Sequence, residues 1–198
     1  MLNHRSEYRT KRISYRSVVS NGSMADKNNF YGLVKFQTIA HNAGITPIFG
    51  SDLIWFFDQD EALESPFVIT LLAQNQLGYK NLLKLISKAY QQGQTVHGAS
   101  LRQSWIKDHS EGLIALSGGI EGDIGKALLN DKVPLADDSL QWWKNLFVDR
   151  FYLDLQRLSR TDDDRTRRVQ SPTTIMRCVF GCQNLLLGLY PVQTRVYA

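Results

Sequence analysis

Between residues 24 and 164 the chain alternates apolar runs of strand length with longer segments of helical periodicity, and this alternation constrains the fold more than any other feature. The run FVITLLAQN is almost continuously apolar, as expected of a strand that is covered on both faces. It is followed by LGYKNLLKLISKAYQQG, whose apolar residues recur at helical spacing up to Gly93. Strands that alternate with helices predict an α/β protein with a parallel sheet or barrel.

The other predicted elements follow the same alternation. A first helix is capped by Asn28 or Asn29 and ends at Gly44, and ITPIFG after it is β-branched and short, which predicts a strand. The rest of the segment predicts a short helix, a strand, two helices and a strand, with Asp137 or Asp138 near the start of the last helix. In chain order these are SLRQSWIKDHS, GLIALSGG, EGDIGKALLND, DDSLQWWKNLFVD and FYLDLQR.

The charge of the chain is unevenly distributed, although its formal net value is only +4. Residues 1–23 contain five Lys or Arg against one Glu, residues 24–164 contain 13 against 18 acids, and residues 165–198 contain five Arg and no acid. We therefore divide the chain into a basic N-terminal segment, an acidic central domain and a basic C-terminal segment. Basic ends without apolar periodicity are typical of unstructured segments or, as a second interpretation, of arms that bind nucleic acid.

Four blocks of the central domain occur in succession across residues 25 to about 164: YGLVKFQTIAHNAGITPIFGSDL, VITLLAQNQLGYKNLLKLISKAYQQG, HSEGLIALSGGIEGDIGKALL and WWKNLFVDRFYLDLQR. They resemble, in the family's order, successive blocks of the PHP (polymerase and histidinol phosphatase) domain found at the start of bacterial DNA polymerase III alpha subunits. The resemblance implies a distorted (β/α) barrel of the PHP type, incomplete at both ends of this chain, with its site at the C-terminal mouth of the strands.

The resemblance also implies a metal site, which this sequence does not complete. In PHP enzymes histidines, aspartates and a glutamate bind divalent metals that activate water for phosphoester hydrolysis. Where the family has His-x-His, this chain offers His4 followed by Arg5. Where the family has Asp-His and a later Glu, it has Asp26 with Lys27, and Asp52. We therefore expect a degenerate site at Asp26, Lys27 and Asp52, with no metal, no cofactor and no catalytic residue.

Further candidate residues favour structural interpretations. His41, His97 and His109 are predicted on a helix face, in a loop and at a helix end, and the glycines of SGGIEGDIG suit a tight strand-to-helix turn better than a phosphate loop. Trp105, Trp142 and Trp143 have helical surroundings typical of a core or an interface, with base stacking as the other interpretation. Cys178 and Cys182 could form half of a metal site, but the chain has no second pair of cysteines to complete it. Arg177, Gln183 and Asn184 interrupt the apolar stretch 175–192, which argues against a membrane span.

Three hypotheses for function remain at the level of sequence. The first is a structural and interaction module of a replicative polymerase, whose partners are the remainder of the alpha subunit and the proofreading exonuclease subunit. The second is a metal-dependent PHP phosphoesterase or 3′–5′ exonuclease, and the third is a nonfunctional, frame-disrupted fragment. Because the central domain is acidic, DNA is expected to bind indirectly or through the basic ends. The charged N-terminus shows no apolar leader, so the cytoplasm is the expected compartment.

Overall fold

The computed structural model describes residues 21–59 and 66–154. His4 and the stretch that contains Cys178 and Cys182 lie outside these residues. The described strands are β1 (Asn21–Lys27), β2 (Thr46–Phe56), β3 (Phe67–Ala73), β4 (Gln94–Thr95), β5 (Gly98–Arg102), β6 (Leu113–Leu116) and β7 (Phe151–Tyr152). The described helices are α1 (Leu33–Asn42), α2 (Gln76–Gln92), α3 (Gln103–Asp108), α4 (Asp123–Leu129) and α5 (Val133–Leu146), with a 3₁₀ turn at Gly119–Glu121 before α4.

The seven strands form one open, mixed sheet in the order β4-β5-β2-β3-β6-β7, and β1 also pairs with β2. β1 and β5 share one edge of β2, since β1 pairs with residues 46–52 and β5 with residues 54–56, both in parallel. The predicted α/β class is confirmed, but the sheet is not mainly parallel, because β3 runs antiparallel to both β2 and β6. Residues 57–66 between β2 and β3 are too few for a parallel crossover.

The core lies on one face of this sheet. Leu53 and Trp55 of β2 and Leu71 of β3 pack against α2 and α5, where Leu82 and Trp143 are fully buried. The apolar periodicity of α2 predicts this packing correctly: its buried positions include Gly78, Leu82, Leu85 and Ala89. By the alternation of side chains along a strand, Asp52 lies on the opposite face from Leu53.

Several element boundaries differ from those predicted. The stretch SLR does not begin a helix, because Gly98–Arg102 forms β5 and α3 starts at Gln103. α5 starts at Val133, ahead of Asp137, with Pro134 in its first turn, where the fixed φ of proline and its missing N–H are tolerated. β1 starts at Asn21, so the predicted domain boundary at residue 24 falls inside a paired strand.

Among the residues that the structure describes, no helix is both long enough and apolar enough to cross a lipid bilayer.

Candidate functional site

The predicted site positions lie where β1 ends beside β2. In the parallel register Asp26 faces Ser51, and Lys27 faces Asp52. Side chains of registered partners lie on the same face of the sheet, and successive side chains alternate between faces. The structure therefore places Lys27 and Asp52 on one face, while Asp26 lies with Ser51 on the face that the helices cover. The two aspartates do not converge, which the linear sequence could not reveal.

Asp26 holds the turn that leads into α1. Its Oδ2 accepts a hydrogen bond from the backbone N–H of Gly32 at 2.9 Å, and its backbone oxygen accepts one from the Ser51 hydroxyl at 2.7 Å. A Cβ at Gly32 would lie 3.1 Å from that same carboxylate oxygen. The carboxylate is thus fitted closely against the backbone of the turn, and it serves a structural purpose there.

Asp52 is bound to its neighbours on the other face. Its Oδ1 accepts a hydrogen bond from the hydroxyl of Thr70 in β3, its registered partner, and its backbone oxygen accepts one from Asn28 N–H at 2.8 Å. Arg102 of β5 is registered with Phe56, so it stands on the same face as Asp52, four residues further along β2. This face therefore carries Lys27 beside Asp52, whereas Arg102 stands about 13 Å further along β2, at about 3.3 Å per residue.

The residues of this site do not fit a metal cluster of the kind that the resemblance implies. The side chain beside Asp52 is the exposed ammonium of Lys27, which offers no lone pair while it is charged and repels a cation. Over residues 21–59 and 66–154, no group of three or more His, Cys, Asp or Glu side chains is arranged to hold a metal ion. The described residues therefore supply too few ligands for a metal cluster of the PHP type.

The three described histidines take the predicted kinds of position. His41 is exposed in the last turn of α1, and His97 is exposed in the turn between β4 and β5. His109 ends α3, and its Nδ1 lies 3.0 Å from the backbone oxygen of Trp105. The structure does not bring any of them to Asp52 as part of a ligand group.

Asn28 and Asn29 shape the site in a way that sequence reasoning missed. Both were predicted to cap α1, but that helix begins at Leu33 and its N-cap is Gly32, without a side-chain cap. Asn28 instead adopts φ 55°, and its Oδ1 accepts a hydrogen bond from Ile54 N–H at 3.0 Å. Asn29 donates to the backbone oxygen of Lys27 and accepts from Tyr31 N–H. The signal was available, because asparagine is enriched in left-handed and turn conformations.

A buried polar pair lies away from this site and was also missed. The indole Nε1 of Trp143 in α5 donates to Asp123 Oδ2 in α4 at 2.9 Å, and both residues are buried. Burial raises the pKa of the Asp123 carboxyl above its ordinary value, although the hydrogen bond from Trp143 opposes this shift. Trp143 is 1% exposed, so it belongs to the core and is closed to base stacking.

The glycine-rich stretch SGGIEGDIG is a strand-to-helix turn, as predicted, between β6 and α4. Gly118 and Gly119 both have positive φ, at 72° and 57°. A Cβ at Gly118 would come within 2.1 Å of the backbone oxygen of Val68. Positive φ at both residues, and close backbone approach at Gly118, explain these glycines without a bound phosphate.

Comparison with known proteins agrees with the resemblance to the PHP family. The PHP domain family matches residues 20–158. Proteins called DNA polymerase III subunit alpha from Vibrio cholerae, Pseudomonas aeruginosa and Escherichia coli are each 41% identical to this chain over 142, 143 and 143 residues. The matches cover 72% of this chain in each case, whereas the chain spans 12% of the length of each relative.

Proposed function

The chain belongs to the PHP domain family, and from this membership we propose that it is a fragment of a bacterial replicative DNA polymerase alpha subunit that acts as a structural and interaction module. The observation that carries the proposal is the pairing of Lys27 with Asp52 at the end of β1. An ammonium group stands where the resemblance implies a histidine ligand. The domain is then left with its fold and its surfaces as the means to act.

Two partners follow from the proposal. The first is the remainder of the polymerase alpha subunit, because the relatives are about eight times longer than the matched region. The second is the proofreading exonuclease subunit, because the resemblance implies that PHP domains of this branch of the family bind it. The cytoplasm, where the chromosome is copied, is the compartment in which both would be met.

Exonuclease binding is the test of this proposal. The full chain and the matched region of the Escherichia coli relative are each immobilised and exposed to the exonuclease subunit from the corresponding cell. We expect saturable binding by both, with little change as salt is raised, since the basic ends are not required. Binding by the relative alone would show that this chain is a nonfunctional fragment. Binding by neither would contradict the interaction module.

The metal-dependent phosphoesterase or exonuclease is the competing function, and the donor set argues against it. We predict that the purified chain holds substoichiometric zinc, manganese and iron and hydrolyses neither phosphomonoesters nor DNA 3′ ends. We expect Lys27→His to restore neither property, because Asp26 lies on the other face and Asp52 would be the single described carboxylate beside the new imidazole. Elemental analysis that finds one or more tightly held ions per wild-type chain would overturn this prediction.

A further inference from the structure

The solvent face of α2 carries a lysine row, which consists of Lys80, Lys84 and Lys88. The three residues are four positions apart, and the helix contains no Asp or Glu. This spacing keeps them along one side of the helix over about 12 Å, at 1.5 Å per residue. Lys80 and Lys84 are exposed and Lys88 is half-buried. The row is thus a linear array of positive charge on a rigid element.

Packing against α3 fixes one end of the lysine row. The Nζ of Lys88 lies 4.7 Å from the ring centroid of Trp105. A cation over the face of an indole ring is attracted by the ring's electron density. The contact holds the Lys88 side chain in place while its ammonium group keeps donors for another partner.

The charges around the lysine row are unbalanced. Lysines at i and i+4 repel each other, and α2 supplies no acid to offset the repulsion between Lys80 and Lys84. Glu121, Asp131, Asp137 and Asp138 lie in or beside α4 and α5. Glu111 lies next to α2, since its backbone oxygen accepts a hydrogen bond from Asn81 at 2.9 Å. The three lysines still outnumber this neighbouring acid, so the exposed side of α2 carries more positive charge than the average of residues 24–164.

We propose that the lysine row binds the phosphate backbone of duplex DNA. Each strand of a duplex carries a continuous row of phosphates, one per 3.4 Å of axis, so each of the three ammonium groups can face a phosphate. The exposed Ser87 and Gln91 lie on the same side of α2 and can donate further hydrogen bonds to phosphate oxygens. This contact goes beyond the proposed docking of the exonuclease and needs no catalytic group.

The test is the salt dependence of DNA binding by the full chain. A fluorescently labelled 20-base-pair duplex is titrated between 50 and 200 mM NaCl, with anisotropy as the readout. Replacing the row by Lys80→Gln, Lys84→Gln and Lys88→Gln should weaken binding and reduce the slope of log K against log salt by about 2.7, at 0.9 per phosphate contact. The control, Lys35→Gln with Lys132→Gln and Lys144→Gln, removes the same charge from other elements and should leave most of the slope.

Three outcomes would overturn the proposal. If the two triple variants lost the same DNA affinity, the binding would be assigned to net charge or to the basic ends. A wild-type chain that does not bind the duplex at 50 mM NaCl would also contradict the proposal. Competition by poly-glutamate that is stronger than by unlabelled duplex would make the row a site for an acidic protein. The charge-preserving variant Lys80→Arg, Lys84→Arg and Lys88→Arg must retain the slope, which separates loss of charge from loss of fold. The exonuclease assay is run on the same variants, so that a failure of docking and a failure of DNA binding are told apart.

Discussion

At the scale of single residues, the register between β1 and β2 determines on which face of the sheet each candidate site residue stands. The sequence predicts a degenerate site at Asp26, Lys27 and Asp52, and the structure places all three at adjoining strand positions. The sequence does not reveal that Asp26 belongs to the helix-covered face, because that depends on the register between β1 and β2. A shift of one residue would have exchanged the faces of Asp26 and Lys27.

Asp123 supports a prediction of pH-dependent stability. Burial raises the pKa of its carboxyl in the folded chain above the ordinary value of 3.8. The stabilising contribution is therefore fully present below pH 3.8 and is lost as the pH rises through the folded pKa. We expect Asp123→Asn, which can still accept the Trp143 hydrogen bond, to gain stability relative to wild type as the pH is raised from 3.5 to neutral.

Denaturant unfolding across that pH range measures the effect of Asp123→Asn. Asp131→Asn is the matched control, since Asp131 is an exposed acid that loses the same charge without the burial. If the stability of Asp123→Asn relative to wild type stays constant with pH, or falls towards neutral pH, the prediction is contradicted.

At the scale of elements, the positions of the helices were predicted better than the directions of the strands. The apolar stripe of α2 and the stop at Gly93 agree with the structure, because both depend on residues close in sequence. The direction of β3 depends on the length of the connection before it, and FVITLLAQN has the same composition in either direction. β1 was not predicted, since NGSMADK has little β-branched character and is a strand through its pairing with β2.

The packing of α2 against the start of β6 depends on two glycines. A Cβ at Gly78, in the first turn of α2, would lie 1.8 Å from the backbone oxygen of Gly112. We predict that Gly78→Ala forces the helix away from this turn and lowers the free energy of unfolding by about 1–3 kcal/mol. Gly22→Ala is the control, because the nearest contact of its Cβ would be a side-chain methyl group of Ile45 at 3.3 Å and not backbone. If Gly78→Ala and Gly22→Ala lowered the stability in urea by the same amount, the close approach at Gly78 would not be the cause of the loss.

At the scale of the whole molecule, the described sheet has two ends and does not close. The strand order ends at β4 and β7, β1 is a further edge strand beside β2, and no other strand of the described residues pairs with the outer edges of these three. Unpaired strand edges are templates for association between chains. The fold class was predictable from the alternation of elements, whereas the openness depends on pairings that a sequence does not display.

We predict that the purified chain associates with increasing concentration and melts without a reversible two-state transition. Ser23→Lys adds a charge at an exposed position of β1 and should slow the association, since lysine on an edge disfavours pairing. Gln37→Lys on α1 adds the same charge away from the edge and is the control. Light scattering during heating compares the variants. A sharp, reversible melt of a monomer would contradict the prediction.

The order of strands in the sheet has a consequence for how the chain can fold during synthesis. β2 pairs with β1, β3 with β2, β5 with β2, β6 with β3 and β7 with β6, so each of these strands finds its partner among those already made. β4 pairs with β5, which follows it immediately in the chain, so it is unpaired only until β5 is made. The sheet can therefore grow outward from β2 as the ribosome releases it, without holding a strand unpaired for the full length of the domain.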